Sequence, residues 1–412
     1  MAGTIHTLTN FISPITGNTH LRSRYLKSGN QSFNAINSLL ISRKPRLITV
    51  SNNINSDQIQ GNGGQDKPPS KSGGIFTFAA NNFLPLALIG GVALGLVNPG
   101  PGCVAHEYQL SKVSTFGIFI ISGLTLRSED IGEAVDAWPV GLFGLASILL
   151  FTPNLSRIIL QLHLQPQEFV IGLALFSCMP TTLSSGVALT RLAGGNSALA
   201  LAMTVASSLL AILIVPFSIS KLIACGLGAS VPTGKLLKRL IFTLLIPLIL
   251  GKAFREFFKG LADFADNNRK LLSILSVVLL SWVPWIQVSR SRSLLLMVKP
   301  TAFLVVFMMG MLLHLVLLGF NAISIQCLCA VSGGHESIFA KKENSTALLI
   351  VASQKALPVL VAVVDQLGTT FGESGLLIIP CVAAHLIQII TDSFLINYWN
   401  KKEQSLSNNK VA

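Results

Sequence analysis

The chain has 412 residues, of which 51% are hydrophobic and only 11% charged, with a mean hydropathy of +0.64 and a formal net charge of +13. A soluble domain carries about 25% charged residues, so the composition excludes a soluble globular protein and predicts an all-α membrane protein. The positive balance is no nucleic-acid signature: residues 1–72 hold eight Lys/Arg against two Asp, and the remaining surplus is spread over short loops.

Residues 1–72 read unlike the rest. No acidic residue precedes Asp57, and Ser, Asn, Thr and basic residues dominate without an apolar block. That is the composition of an organelle transit peptide, and the opening Met1-Ala2-Gly3 with abundant Ser and Asn favours a chloroplast; the alternative is a disordered cytosolic tail. Gly61–Gly74 would form a flexible lead into the first span. Apolar segments then recur near 82–99, 109–127, 138–154, 168–190, 195–220, 236–256, 271–289, 299–322, 345–365 and 374–396. The pattern predicts about ten transmembrane helices within 78–400 and a polar tail at 401–412. Loops are expected at NPGPG (98–102), RSEDIGEAVD (127–136), SRSRS (289–293) and GGHE (333–336). The six cysteines, mostly in apolar segments and without a CxxC pair, read as packing residues.

Two spans are wrong for plain membrane helices. Phe169–Thr190 is a run of 22 uncharged residues, yet Pro180 stands at its midpoint, followed by Thr181, Thr182, Ser184, Ser185 and Gly186. Proline removes a backbone donor and frees a carbonyl one turn back. In lipid such a break is tolerated only against protein or a water-filled cavity. Ala347–Val364 carries one charge, Lys355, at its centre beside Ser353, Gln354 and Pro358. Its ends lie roughly 12 Å away at ~1.5 Å per residue, farther than a lysine stem can snorkel. Lys355 must therefore face a polar cavity or lose its charge by desolvation. The helix breaks at Pro180 and Pro358 fall on the fourth and ninth spans. Asn82–Gly91 (NFLPLALIGG) and Leu244–Gly251 (LLIPLILG) open the two sets of five. Five is odd, which implies two inverted five-helix repeats, about 82–220 and 236–396, with the broken fourth and ninth helices crossing at the site. Fourteen loop Lys/Arg on the side of both termini against nine on the other place the termini on the stromal side by the positive-inside rule, although Lys235–Arg239 oppose it.

The ten-span pattern, the run PTTLSSGVALTRLAGGNSALALAMT (Pro180–Thr204) and the motif SQKALP (Ser353–Pro358) resemble the bile acid:sodium symporter family. Within it they resemble the divergent branch of sodium/bile acid cotransporter 7, which has plant plastid members. The resemblance covers about residues 78–400 and implies a sodium/metabolite cotransporter of the chloroplast envelope. It also implies that Ser185 and Thr204 stand at sodium positions. The family's other sodium ligands are missing: Gly186 replaces an Asn, Ala200 a Ser and Ile350 a Glu, and Gln354-Lys355 replaces a Gln-Asn pair. At ~4 Å an ammonium would repel sodium by several kcal/mol at an effective dielectric of ~20.

Three readings stay open. The candidate substrate- or ion-binding residues are Thr181, Thr182, Ser184, Ser185, Thr204, Ser207, Ser353, Gln354 and Lys355, and the first reading is a sodium-coupled carrier using Ser184, Ser185, Thr204, Ser207 and carbonyls with Lys355 turned aside. The second is an uncoupled or proton-coupled organic-anion carrier in which Lys355 replaces the cation. The third is a non-transporting membrane regulator of calcium homeostasis. The expected partners are a small metabolite, by charge an organic anion, and the lipid bilayer, with no nucleic acid; oligomeric state is not legible. No cofactor is expected beyond sodium as a coupling ion, and tight calcium binding is disfavoured by the lack of a carboxylate cluster in the spans. HExxH, GxSxG and glycine-rich phosphate loops are absent, which argues against an enzyme. His314 reads as hydrogen-bonded to a neighbouring helix. His385, Gln388 and Asp392 share one helix face and read as a polar seam near the interface or the lining of a pathway. Asn344, Ser345 and Thr346 are candidate caps, and Gln287 reads as interfacial.

Overall fold

The computed structural model describes residues 83–127, 137–182 and 185–411. The leader, most of the 127–136 loop and Ser184 lie outside them. The described residues form helices and no strands: α1 (Phe83–Val97), α2 (Pro99–Glu107), α3 (Leu110–Thr125), α4 (Trp138–Ile159), α5 (Gln167–Ser177) and α6 (Ser185–Leu192). They continue as α7 (Ser197–Leu227), α8 (residues 233–257), α9 (Lys259–Asn267), α10 (Arg269–Arg290) and α11 (Arg292–Met297). The chain ends in α12 (Pro300–Val331), α13 (Lys342–Ser353), α14 (Leu357–Leu367) and α15 (Ser374–Val411). Six helical stretches among the described residues are long and apolar enough to cross a bilayer, or seven if α1 and α2 count as one bent span. Among the described residues the fold is thus all-helical, with several spans apolar and long enough to make a multi-pass membrane protein.

Local chemistry explains where the helices stop. Asn98 precedes Pro99, and the proline ring drives the preceding residue out of the helical region. Asn98 is extended (φ −131°, ψ 90°), and α2 leaves at 100° to α1, so NPGPG is a corner that restarts a helix and not the expected loop. Asn196 caps α7 by accepting from the Leu199 amide at 2.9 Å, the role asparagine fills at helix starts. The expected cap at Asn344 is not one, because α13 already starts at Lys342. Asn344 Oδ1 instead accepts from Asn196 Nδ2 at 3.0 Å, tying the starts of two helices together.

Glycines set the closest helix contacts. A Cβ at Gly251 of α8 would stand 2.2 Å from the Ile120 carbonyl of α3, and one at Gly91 of α1 would stand 2.6 Å from the Ser281 carbonyl of α10. Small residues let backbones approach where no hydrophobic force drives association, and α3–α8 and α1–α10 are the most extensive pairings in the molecule. Among the described spans the broken segment 342–367 lies deepest: 94% of its most apolar stretch is buried, against 33% for α12. The centre of the fold is therefore occupied by interrupted backbone.

Candidate functional site

The two interrupted helices meet at their breaks. The first break separates α5 from α6, with Pro180 inside it; the second is the unwound stretch Gln354–Ala356 between α13 and α14. Pro358 sits in the first turn of α14, where its missing N–H is one the helix leaves unpaired anyway, so the unwinding precedes it. Backbone groups freed on one side bond to the other. Ala356 donates its N–H to the Pro180 carbonyl at 2.8 Å, and Thr181 Oγ1 donates to the Val351 carbonyl at 2.6 Å.

Lys355 is fully buried, and its chain is gripped from both sides. Its N–H donates to Gln388 Oε1 at 3.0 Å, and its carbonyl accepts from Gln388 Nε2 at 2.9 Å. One amide thus satisfies a donor and an acceptor that an unbroken helix would have paired internally. The ammonium donates to the Met179 carbonyl at 3.0 Å, the Ile148 carbonyl at 3.2 Å and Thr152 Oγ1 at 2.5 Å. Met179 lies at the first break. Ile148 lies in a π-helical turn of α4, Ser147–Phe151, and such wide turns release carbonyls from the regular ladder. Three oxygens thus surround the Nζ atom as they would a small cation, and none of them is a carboxylate. Among the described residues no group of three or more His, Cys, Asp or Glu side chains is placed to hold a metal ion.

Most of the hydroxyl candidates gather beside this cage. Thr182 Oγ1 donates to Gln354 Oε1 at 2.7 Å, and Ser185 Oγ lies 2.8 Å from Thr182 Oγ1 and 3.2 Å from Gln354 Oε1. The Gly186 amide donates to Thr182 Oγ1 at 3.0 Å. Ser353 donates to the Leu349 carbonyl at 2.7 Å and accepts from Asn321 Nδ2 at 3.0 Å. Thr204 and Ser207 are buried on α7, but they donate to carbonyls of their own helix, Ala200 and Thr204. The structure therefore brings Thr181, Thr182, Ser185, Ser353, Gln354 and Lys355 to the crossing, with Thr182, Ser185 and Gln354 bonded to one another, and places Thr204 and Ser207 in bonds to their own helix.

A polar chain continues into α12 and α15. Gln354 Nε2 donates to Asp392 Oδ2 at 2.6 Å, and Asp392 Oδ1 lies 2.8 Å from His314 Nε2. His314 is thus bonded to a neighbouring helix, as its isolation in an apolar span suggested. His385, Gln388 and Asp392 are not a seam at the interface: all three are buried and face the second break. Their spacing of three and four residues was the signal, and the unwound backbone opposite is what they serve. Gln287 is likewise not interfacial; it is 1% exposed, and its Nε2 donates to Asp365 Oδ1 at 2.7 Å. Ser111 Oγ donates to Asp365 Oδ2 at 2.5 Å, so this carboxylate ties α14 to α3 and α10.

A cavity of about 280 Å³ lies between α1, α3, α8 and α10 on one side and the two breaks, α7 and α15 on the other. That is near the lower end of small-ligand pockets. Thr182, Ser185, Pro358 and His385 line it, with hydroxyls of Ser122, Thr125, Ser208, Ser273 and Ser276 along its walls. Lys355 does not line it. Apart from the titratable His385, the one lining residue with a formal charge is Arg269, at the start of α10. Sequence reasoning passed over Arg269 because it reads as a helix-end charge in a loop.

The sequence profile of the SBF-like CPA transporter family matches residues 81–401. The chain belongs to this family. It is 62% identical over 333 residues to the "Probable sodium/metabolite cotransporter BASS4, chloroplastic" of Arabidopsis thaliana, covering 81% of this chain and 76% of that one. It is 60% identical to the protein of the same description from Oryza sativa subsp. indica, covering 81% and 79% of the two chains. "Sodium/bile acid cotransporter 7" of Xenopus tropicalis is 24% identical over 298 residues, covering 72% of this chain and 83% of that one. The recognition made from PTTLSSGVALTR and SQKALP stands, and the protein is a transporter-family member.

Proposed function

We propose that this protein is a secondary transporter that moves a small organic anion across the chloroplast envelope, with the Lys355 ammonium standing where a relative would bind a coupling cation. The carrying observation is the cage: a fully buried Nζ within hydrogen-bond reach of Met179 O, Ile148 O and Thr152 Oγ1. A tethered cation there meets the electrostatic demand of the freed carbonyls without an ion from solution. The chloroplast assignment draws on the transit-like leader and on the chloroplastic descriptions of the plant relatives. The ten-span, inverted-repeat reading is supported by the helix pairings. Exchanging the first and sixth spans, and the second and seventh, turns the α1–α10 contact into the α8–α3 contact, and the fourth and ninth spans are the two that break.

A sodium-coupled cycle is the second reading. It is favoured by the convergence of Thr182 Oγ1, Ser185 Oγ and Gln354 Oε1 and by the sodium in the relatives' names. In this conformation those oxygens already bond to one another and to the Gly186 amide, so sodium would have to displace internal partners. Uptake of labelled organic acids into proteoliposomes, under a sodium gradient, a proton gradient or neither, separates the readings. Sodium-indifferent uptake that becomes sodium-dependent in Lys355→Ala is the expected result. Sodium-driven uptake by the wild type, unchanged by the substitution, would overturn the lysine reading. Absence of uptake under every gradient would return the regulator hypothesis.

A further inference from the structure

If the substrate is an anion, Lys355 is the wrong partner for it. Its Nζ is spent on three oxygens and its side chain does not line the cavity. The charge must be met elsewhere. Arg269 lines the cavity, and its side chain is 42% exposed, so it stands at the mouth. Leu280, eleven residues further along α10, lines the same cavity, which puts the two roughly 16 Å apart at ~1.5 Å per residue.

Among the described residues, Arg269 is built into a cluster of three guanidiniums around Asp266. Asp266 Oδ1 accepts from Arg127 Nε at 3.0 Å and from Arg269 Nε and Nη2 at 3.3 and 3.1 Å, while Oδ2 accepts from Arg255 Nη2 at 2.8 Å. Arg255 Nη1 also donates to the Leu124 carbonyl at 3.0 Å. Among the described residues, three guanidiniums share this one carboxylate, which fixes their positions. A guanidinium presents five donors in a planar fork suited to a carboxylate, and Asp266 uses only one edge of Arg269. Inward from this end the walls are Ile121, Leu201, Val205, Leu248 and Val277, interrupted by serine hydroxyls.

We propose that Arg269, oriented by Asp266, is the side chain that takes the carboxylate of the transported anion at the cavity mouth, with the rest of the solute lying toward the two breaks. This deepens the transport reading above and rests on it.

The test uses the full chain in detergent micelles, with 4-methylpentanoate as probe and 4-methylpentanamide as its uncharged isostere. The unfolding midpoint is followed as each is titrated. The carboxylate should raise the midpoint of the wild type and the amide should not. Arg269→Gln should weaken the half-stabilising concentration at least tenfold, and Arg269→Lys, which keeps the charge but loses the fork, by a few-fold. That graded rescue shows that loss in the glutamine variant is not misfolding. Equal stabilisation by acid and amide, equal response of Arg269→Gln and wild type, or no response of the wild type would each overturn the proposal. Failure here is distinguishable from failure of the transport reading: vesicle uptake of organic acids that Arg269→Gln performs with unchanged KM refutes the Arg269 site and leaves transport intact.

Discussion

Replacing Lys355 tests whether the lysine stands in for an ion. Lys355→Met keeps most of the side-chain volume and deletes the charge. Removing a buried ammonium with no carboxylate partner relieves a desolvation penalty of several kcal/mol. It also deletes hydrogen bonds from a charged donor, each worth about 1.5–3 kcal/mol. The orphaned acceptors are unequal. Ile148 O keeps the Thr152 hydroxyl at 2.7 Å, whereas Met179 O loses its ammonium partner, at about 1–3 kcal/mol. The opposing terms leave the methionine variant within about 3 kcal/mol of wild type. Lys355→Ala differs because it opens space beside three oxygens arranged for a cation. Sodium at tenfold above its Kd would then contribute about 1.4 kcal/mol by mass action, which for a protein of this size raises the unfolding midpoint by roughly 2 °C. The assay is thermal unfolding in NaCl against KCl at equal ionic strength. The expected pattern is a sodium-specific rise in Lys355→Ala and none in wild type or Lys355→Met. A rise of the same size in the wild type, or none in Lys355→Ala, would refute the reasoning.

Four further outcomes follow from the geometry. Gly251→Ala places a methyl 2.2 Å from the Ile120 carbonyl and should cost about 1–3 kcal/mol by overpacking, whereas Gly319→Ala on α12, with nothing within 4 Å, should be neutral or stabilising by up to about 1 kcal/mol; unfolding midpoints compare them. Gln388→Leu strands the Lys355 N–H, whose acceptor it removes, while the Lys355 carbonyl keeps His385 Nδ1 at 3.3 Å; it should cost about 1–3 kcal/mol from the one buried unpaired donor, a loss that Gln388→Glu only partly mimics. Asp365→Ala leaves Ser111 and Gln287 without their acceptor and should destabilise by about 2–4 kcal/mol, measured the same way. The Asp266 carboxyl is held well below its ordinary 3.8, chiefly by the hydrogen bond from Arg255 with help from Arg127 and Arg269. A depressed folded-state pKa adds stability above the unfolded value that is lost only as pH falls through the folded one. The contribution of this cluster should therefore be flat from pH 5 to 8 and fade below about pH 4, and a titration of stability against pH that falls between 7 and 5 in wild type but not in Asp266→Asn would contradict the assignment.

Much of this arrangement was legible because the bilayer restricts what a sequence can do. Pro180 among hydroxyls and Lys355 in mid-span are intolerable in a continuous lipid-facing helix, so each announced a break. Both breaks are there, although Pro358 begins the second half-helix and does not interrupt the first. What the sequence withheld is relational. Gln388 reads as one more polar residue on α15 until the unwound Lys355 backbone is placed opposite it. The π-turn that frees Ile148 O has no composition of its own, since SILLF is ordinary span sequence. Gln287 sits near two tryptophans and looked interfacial, yet Asp365 on a distant segment draws it inward.

The same distinction separates the two cations that matter most. Lys355 drew attention because it violates its surroundings, and Arg269 was overlooked because it conforms to them at a helix end. Burial reverses their apparent roles. A cation whose three hydrogen-bond positions are filled by protein oxygens has nothing left to offer an anion, whatever its charge. A half-exposed guanidinium that shares a single aspartate with two others retains both charge and donors. Where the two broken helices meet, the lysine thus belongs to the part of the device that holds the backbone crossing together. Recognition of a carboxylate falls to the cavity mouth, where Asp266 aims Arg269 without cancelling it. On the transport reading proposed above, a chain that supplies its own tethered cation at the crossing carries an anion without an obligatory sodium partner, and uptake by the wild type in sodium-free buffer is the direct measure of that independence.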